Sequence, residues 1–150
     1  MLKRRPNGHV EANKAIVRAS VDSWNRRDLD HLPRLWSPSA IYHSRFRDYD
    51  AQTVTAAYAA EQQAFPDLHL QVEDLVGEGN KVVVRLTARG THTGTFLGFQ
   101  PTGRMLQFEL IEIVRLAGGK IVEQWAVSDE LFLVQQLGLG DDSSRRVSTA

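Results

Sequence analysis

After Pro66 the spacing between apolar residues changes from about 3.6 to about 2, so helices come first and strands follow. Upstream, Ile16, Val17, Val21 and Trp24 form one helical stripe opposite Glu11, Lys14, Arg18, Asp22 and Arg26. Asp28 is placed to cap a shorter stripe of Leu29, Leu32, Leu35 and Trp36, which Ser37-Pro38 ends. Residues 40–43 read as a brief strand running into a polar loop. Asp50 then caps a third helix, whose Val54, Ala57, Tyr58, Glu61 and Phe65 share a face up to Pro66.

Downstream, Leu68, Leu70 and Val72 alternate with His69, Gln71 and Glu73, and the loss of phase at Leu75-Val76 predicts a bulge near Asp74. Gly77-Glu78-Gly79-Asn80 turns the chain into a strand with Val82, Val84, Leu86 and Ala88 on one side. A third strand spans residues 104–116, and Ala117-Gly118-Gly119-Lys120 turns it into a fourth at 121–127. Such short connections make the strands antiparallel. Ser128 is placed to cap a last helix carrying Leu131, Phe132, Val134 and Leu137, closed by Gly138.

Helices of this kind must lie on one face of the sheet to bury both apolar surfaces. The expected fold is α+β: a cone-shaped barrel of a curved, mainly antiparallel sheet packed on three N-terminal helices, with a short C-terminal helix. At 150 residues there is room for one domain, expected over 11–138, with flexible termini at 1–10 and 139–150. The loop holding Gly90, Gly94, Gly98 and Gly103 carries apolar Phe96, Leu97 and Phe99, and loops of this length more often border a binding pocket than merely connect.

Composition narrows the function. Eighteen basic and eighteen acidic residues leave no net charge, so the chain lacks the field that attracts nucleic acid or an anionic membrane surface. No cysteine is present, which removes disulfides, thiolate metal sites and a cysteine nucleophile. The basic start lacks the apolar stretch of a secretory signal and no run reaches membrane-spanning length, so a cytoplasmic location is expected. His9, His31 and His69 have no companions at metal-ligand spacing, and no glycine-rich loop opens a helix after a strand, so neither a metal nor a nucleotide is expected.

Several segments resemble one known family. They are Asn13-Lys14-Ala15-Ile16-Val17 with Trp24-Asn25-Arg26-Arg27-Asp28-Leu29; Phe65-Pro66-Asp67-Leu68; Gly90-Thr91-His92-Thr93-Gly94 with Phe96-Leu97-Gly98 and Pro101-Thr102-Gly103; and Gly119 to Trp125 with Asp129 after it. In this order they look like the SnoaL-like polyketide cyclase (ester cyclase) family of the nuclear transport factor 2-like superfamily, over residues 13–138. The resemblance implies a conical pocket, commonly in a homodimer. It also implies intramolecular aldol ring closure of a polyketide ester without metal or organic cofactor, driven by a pocket aspartate.

That aspartate maps onto Asp129, four residues after Trp125, with Glu123 and Glu112 as substitutes. An aspartate there is also a first-turn helix residue favoured by the dipole. Many relatives carry histidine before the tryptophan, whereas this chain has Gln124, which hydrogen-bonds but does not titrate. His92 shares the parity of the Val82–Ala88 row and is expected to donate to a substrate oxygen at the pocket mouth, or else to bond a loop carbonyl. His43 reads either as a second polar pocket group or as an exposed strand-end residue. Trp24, Tyr58, Phe108 and Trp125 are expected as pocket walls or core, with Trp125 a lining residue and Trp24 mostly core. The opposite strand face, with Arg85, Thr87, Arg89, Gln107, Glu109 and Ile111, suits a homodimer contact.

The expected function is therefore acid/base chemistry on a small apolar or polycyclic carbonyl substrate. The alternatives are a non-catalytic ligand-binding or dimerisation module, or an isomerase, dehydratase or epoxide hydrolase on the same fold.

Overall fold

A computed structural model describes residues 8–45 and 47–138. Helix α1 (Gly8–Asn25) turns Val17, Val21 and Trp24 inward, as its stripe predicts, buries Asn13 beside them, and begins three residues before the expected domain boundary. Helix α2 (Leu32–Leu35) is a single turn with proline near its start, shorter than its apolar stripe suggests. Trp36 already belongs to strand β1 (Trp36–His43). Pro38 is tolerated there because the β1 register slips between Trp36 and Ile41, where a missing N–H breaks no regular ladder.

The expected polar loop contains a short strand, β2 (Asp48–Asp50), paired antiparallel with the end of β1. Asp50 then caps α3 (Ala51–Ala64): its carboxylate accepts from the Gln52 and Thr53 N–H groups, and the Thr53 hydroxyl accepts from the Asp50 N–H.

The meander is β3 (His69–Glu78), β4 (Lys81–Thr91), β5 (Met105–Ala117) and β6 (Lys120–Ser128), antiparallel throughout. β1 joins β6 in parallel, giving one six-stranded sheet in the order β2-β1-β6-β5-β4-β3. Helix α4 (Glu130–Gln136) packs on β5, α1 on β3 and β4, and α3 on β1. The architecture is the expected α+β cone.

Bulges decide which residues face inward. In β3 the register shifts between Val72 and Asp74, where the lost alternation predicts it. A second shift lies in β6, where Leu116 faces Ile121 but Arg115 faces Glu123, leaving Val122 as the extra residue. Ile121 is core at the start of β6, and beyond Val122 the inward positions become Gln124, Ala126 and Ser128.

Two clusters form the core. One gathers Val17, Val21, Trp36, Val82, Val84, Leu86, Val114 and Ile121; the other holds Trp24, Phe65, Leu68, Leu106, Leu133 and Leu137. Burying one such aliphatic side chain contributes roughly 1.5–3 kcal/mol. Tyr58, Leu70 and Leu110 pack against both clusters, and between the clusters the interior is not filled.

Candidate active site

The unfilled interior is a cavity of about 140 Å³, room for roughly ten waters or an organic guest. Val21, Trp24, Leu68, Leu70, Phe108 and Leu110 form its apolar wall. Tyr42, Tyr58, Glu61, Glu112 and Gln124 supply its chemistry.

Each polar group is placed by simple periodicity. Tyr58 and Glu61 lie one turn apart on the inner side of α3. In β5, Leu106, Phe108, Leu110, Glu112, Val114 and Leu116 alternate toward the interior, so the Glu112 carboxyl is carried on an otherwise apolar row. Ala126 pairs with Glu112 across β5 and β6, which puts Gln124 on the diagonal, close enough for its amide to hydrogen-bond the carboxylate. Tyr42, next to buried Ala40 by parity, enters from β1.

Burial sets the electrostatics. Desolvation raises the Glu61 carboxyl to about 7. Glu112 is also raised to about 7, first by burial and then by the charge of Glu61, against the lowering effect of the Gln124 hydrogen bond. Both phenols are pushed well above their usual range, Tyr42 by burial and Glu112, Tyr58 by burial and Tyr42, so both stay protonated and able to donate. The cavity thus holds carboxyls that exchange protons near neutrality beside phenols that keep theirs. Trp24 meets Tyr58 edge to face at 4.9 Å, and its indole N–H has no partner among the described residues.

Of the residues singled out in the sequence, Trp24, Tyr58, Phe108 and Glu112 line the cavity, and Trp24 is also core, 5% exposed. Asp129 does not line it. The residue is exposed, follows the last pair of β6, and its carboxylate accepts the Phe132 N–H as the N-cap of α4. The cap is therefore Asp129 rather than Ser128, which still pairs with Leu110.

His92 is fully buried, as its parity predicts, but lies between Phe65 and Phe96 rather than on the cavity wall. Its Nδ1 accepts the Thr102 N–H at 3.2 Å, and its backbone bonds Arg104 and Gly103, so it staples the two ends of the glycine-rich loop. Gly94 in this loop is required by close approach, since a Cβ there would lie 2.4 Å from the Gln63 carbonyl oxygen.

His43, Glu123 and Trp125 lie on the other side of β1 and β6, because the Val122 bulge reverses the parity that would have turned Trp125 inward. His43 stacks on Trp125 at 5.2 Å and bridges Asp48 and Glu123, each at 2.9 Å. Glu123 also pairs with Arg115 at 2.7 Å. The hydrogen bonds to Glu123 and Asp48 raise the His43 pKa, and those from His43 and Arg115 lower that of Glu123.

Glu61, Tyr42 and Gln124 are cavity groups that sequence reading did not assign to the site. Glu61 carried a signal, a carboxylate one turn from Tyr58 on the apolar stripe. Among the described residues no cluster of three His, Cys, Asp or Glu side chains is arranged to hold a metal, and no helix is long and apolar enough to cross a membrane.

Comparison with known proteins places the chain among relatives of the same fold. The chain is 31% identical over 133 residues to aklanonic acid methyl ester cyclase DnrD of Streptomyces peucetius, covering 82% of this chain and 88% of that one. Among solved structures it matches AclR of Streptomyces galilaeus, a candidate hydroxylase, at 34% identity and TM-score 0.80, over 87% of this chain and 83% of AclR. IdmH of Streptomyces antibioticus, a candidate polyketide cyclase, matches at 30% identity and TM-score 0.75, over 84% and 98%. The family model described as SnoaL-like polyketide cyclase matches residues 14–137, and the chain belongs to that family.

Proposed function

We propose that the protein closes a ring in a neutral polyketide-type ketone ester by an intramolecular aldol reaction, with Glu112 as the base and Glu61 as the acid. The observation that carries this reading is that two carboxyls, each raised to about 7, face one apolar cavity. A pair whose charges oppose each other holds one proton over a range around neutrality, which presents an acid and a base together.

The Glu112 carboxylate removes a proton from carbon between two carbonyl groups. A Tyr42 or Tyr58 phenol donates to the enolate oxygen. The enolate carbon attacks the second ketone, a C–C bond forms, and the carbonyl electron pair becomes an alkoxide that takes the Glu61 proton. Return of the proton from Glu112 to Glu61 resets the pair, so the product is an isomer of the substrate. Folding the chain into reacting geometry against Trp24, Phe108 and Leu110 supplies up to roughly 7–11 kcal/mol. Among the described residues no Lys, Arg or His lines the cavity, so a free carboxylate substrate would be buried beside two acids without a counter-charge, which favours the ester.

The test uses aklanonic acid methyl ester, the substrate that the DnrD name specifies. Turnover to an isomeric cyclic product, lowered about 10²–10⁴-fold in Glu112→Gln, supports the reading. Binding without conversion would make the protein a ligand-binding module, and full activity in Glu112→Gln would remove the base. The likeness to AclR favours hydroxylation as a second reading, which with O₂ and a two-electron reductant in the assay would add the mass of an oxygen to the product and release water.

The outer sheet face supports a homodimer. Ile111 and Ile113 are 47% and 39% exposed, beside Arg85 and Glu109, which offer complementary charge to a second copy. Sedimentation of wild type and Ile111→Glu tests this: a dimer that dissociates supports it, and a monomeric wild type ends it.

A further inference from the structure

β1 and β6 part before β6 ends. Their last pair is His43 with Trp125, yet β6 continues to Ser128, where only β5 accompanies it through the Leu110–Ser128 pair. Beyond His43 the chain turns away through Ser44 and Arg45 toward β2. The parting leaves a slot lined by Ser44, Arg45, Trp125, Val127 and Glu130, together with Ala126 and Ser128. Ala126 and Ser128 also line the main cavity, so the end of β6 is a wall common to both spaces.

Their chemistries differ. Among the described residues the main cavity holds Glu61 and Glu112 and no cationic side chain, whereas the slot holds the Arg45 guanidinium. Arg45 Nη1 pairs with Glu130 Oε2 at 2.7 Å, which shows that a carboxylate fits against Arg45 at this place. The pair crosses from the β1–β2 connection to α4, and the Arg45 side chain is 68% exposed, so solvent screens its pairing with Glu130. Trp125, stacked on His43 and fixed by it, forms a rigid apolar floor.

We propose that this slot is a second substrate subsite, which takes a carboxylate-bearing arm against Arg45 while the neutral rings of the same molecule occupy the main cavity. The inference rests on the reading that the cavity holds a neutral carbonyl compound. It adds that a free acid group is accepted at the slot end of the ligand and nowhere deeper.

The test compares naphthylbutanoic acid with its methyl ester, by calorimetry on the full chain. Arg45→Gln weakens the acid about fivefold and leaves the ester unchanged, while Glu130→Gln tightens the acid by a similar factor. Arg45→Lys, which keeps the charge, retains most of the acid's affinity. An acid-to-ester affinity ratio that stays the same in Arg45→Gln and Glu130→Gln overturns the proposal, as does failure of the acid to bind the wild type. These readouts are binding ratios, so an inactive catalytic pair, seen as unaltered turnover in Glu112→Gln, is a separate failure that leaves the ratio where it was.

Discussion

Gln124 on β6 lies diagonal to Glu112 on β5, and its amide is the one influence in the cavity that opposes the rise burial imposes on that carboxyl. Replacing it with an apolar residue of similar size removes a donor from the charged form. For Gln124→Leu the Glu112 pKa therefore rises above about 7. The proposed base must be ionised to act, so the low-pH limb of the kcat profile moves to higher pH. A low-pH limb displaced to higher pH, with the high-pH limb set by Glu61 left in place, identifies Gln124 as a positioning residue. An equal loss at every pH contradicts that role.

The carboxyls proposed to serve catalysis weaken the fold. A buried carboxyl whose folded pKa is about 7 costs nothing below the unfolded value of 4.5, where both states are protonated. The penalty grows as pH rises through the interval and is complete above 7, up to about 3 kcal/mol for each group. Glu61→Gln and Glu112→Gln are therefore expected to raise Tm by a few degrees at about pH 8 and to leave it unchanged near pH 4. Thermal unfolding at both pH values checks this. Glu61→Gln should also flatten the high-pH limb of the rate profile, because the amide has no proton to lose. Equal Tm shifts at both pH values would mean that the residues act through packing rather than charge.

The same two carboxyls show how far a sequence carries the site. Glu112 is legible because β5 alternates without interruption from Leu106 to Leu116, so a charge on the apolar row has one place to go. Glu61 is visible on the α3 stripe, but a helix stripe indicates direction and not depth, and only the gap between the two core clusters makes its burial chemical. Trp125 was not legible. The bulge at Val122 that turns it outward is marked by no glycine, proline or turn residue, and a shift of one position exchanges the two faces of a strand. Asp129 shares this difficulty, since its fate depends on whether β6 or α4 claims the junction. β2 escapes local reading because its three residues are ordered by pairing with β1.

Asp129 caps α4, and α4 carries Leu133 and Leu137 into the second core cluster. Asp129→Ala removes the acceptor for the Phe132 N–H and is expected to cost about 1 kcal/mol, seen as a Tm lower by about 2–4 °C. Asp129→Asn, which still caps, should restore most of that loss. Turnover in both variants should stay within about twofold of the wild type, because the side chain is exposed and lies off the cavity wall. Loss of kcat in Asp129→Asn with an unchanged Tm would return the acid/base role to this residue.

His43 gives the fold a pH dependence of opposite sign to that of the cavity acids. Its bonds to Glu123 and Asp48 raise its folded pKa above 6.5, so its contribution is complete below 6.5 and is lost as pH rises through the raised value. Glu123 behaves conversely. Its folded pKa lies below 4.5, so its contribution is complete above 4.5 and disappears as pH falls through the lowered value. The two overlap between 4.5 and 6.5. His43→Gln is therefore expected to lower Tm most in that window and to converge on the wild type in alkali. Unfolding curves at about pH 5.5 and about pH 9 decide it, and a deficit of the same size at both would mean that stacking on Trp125, rather than the charge on the ring, is what His43 contributes.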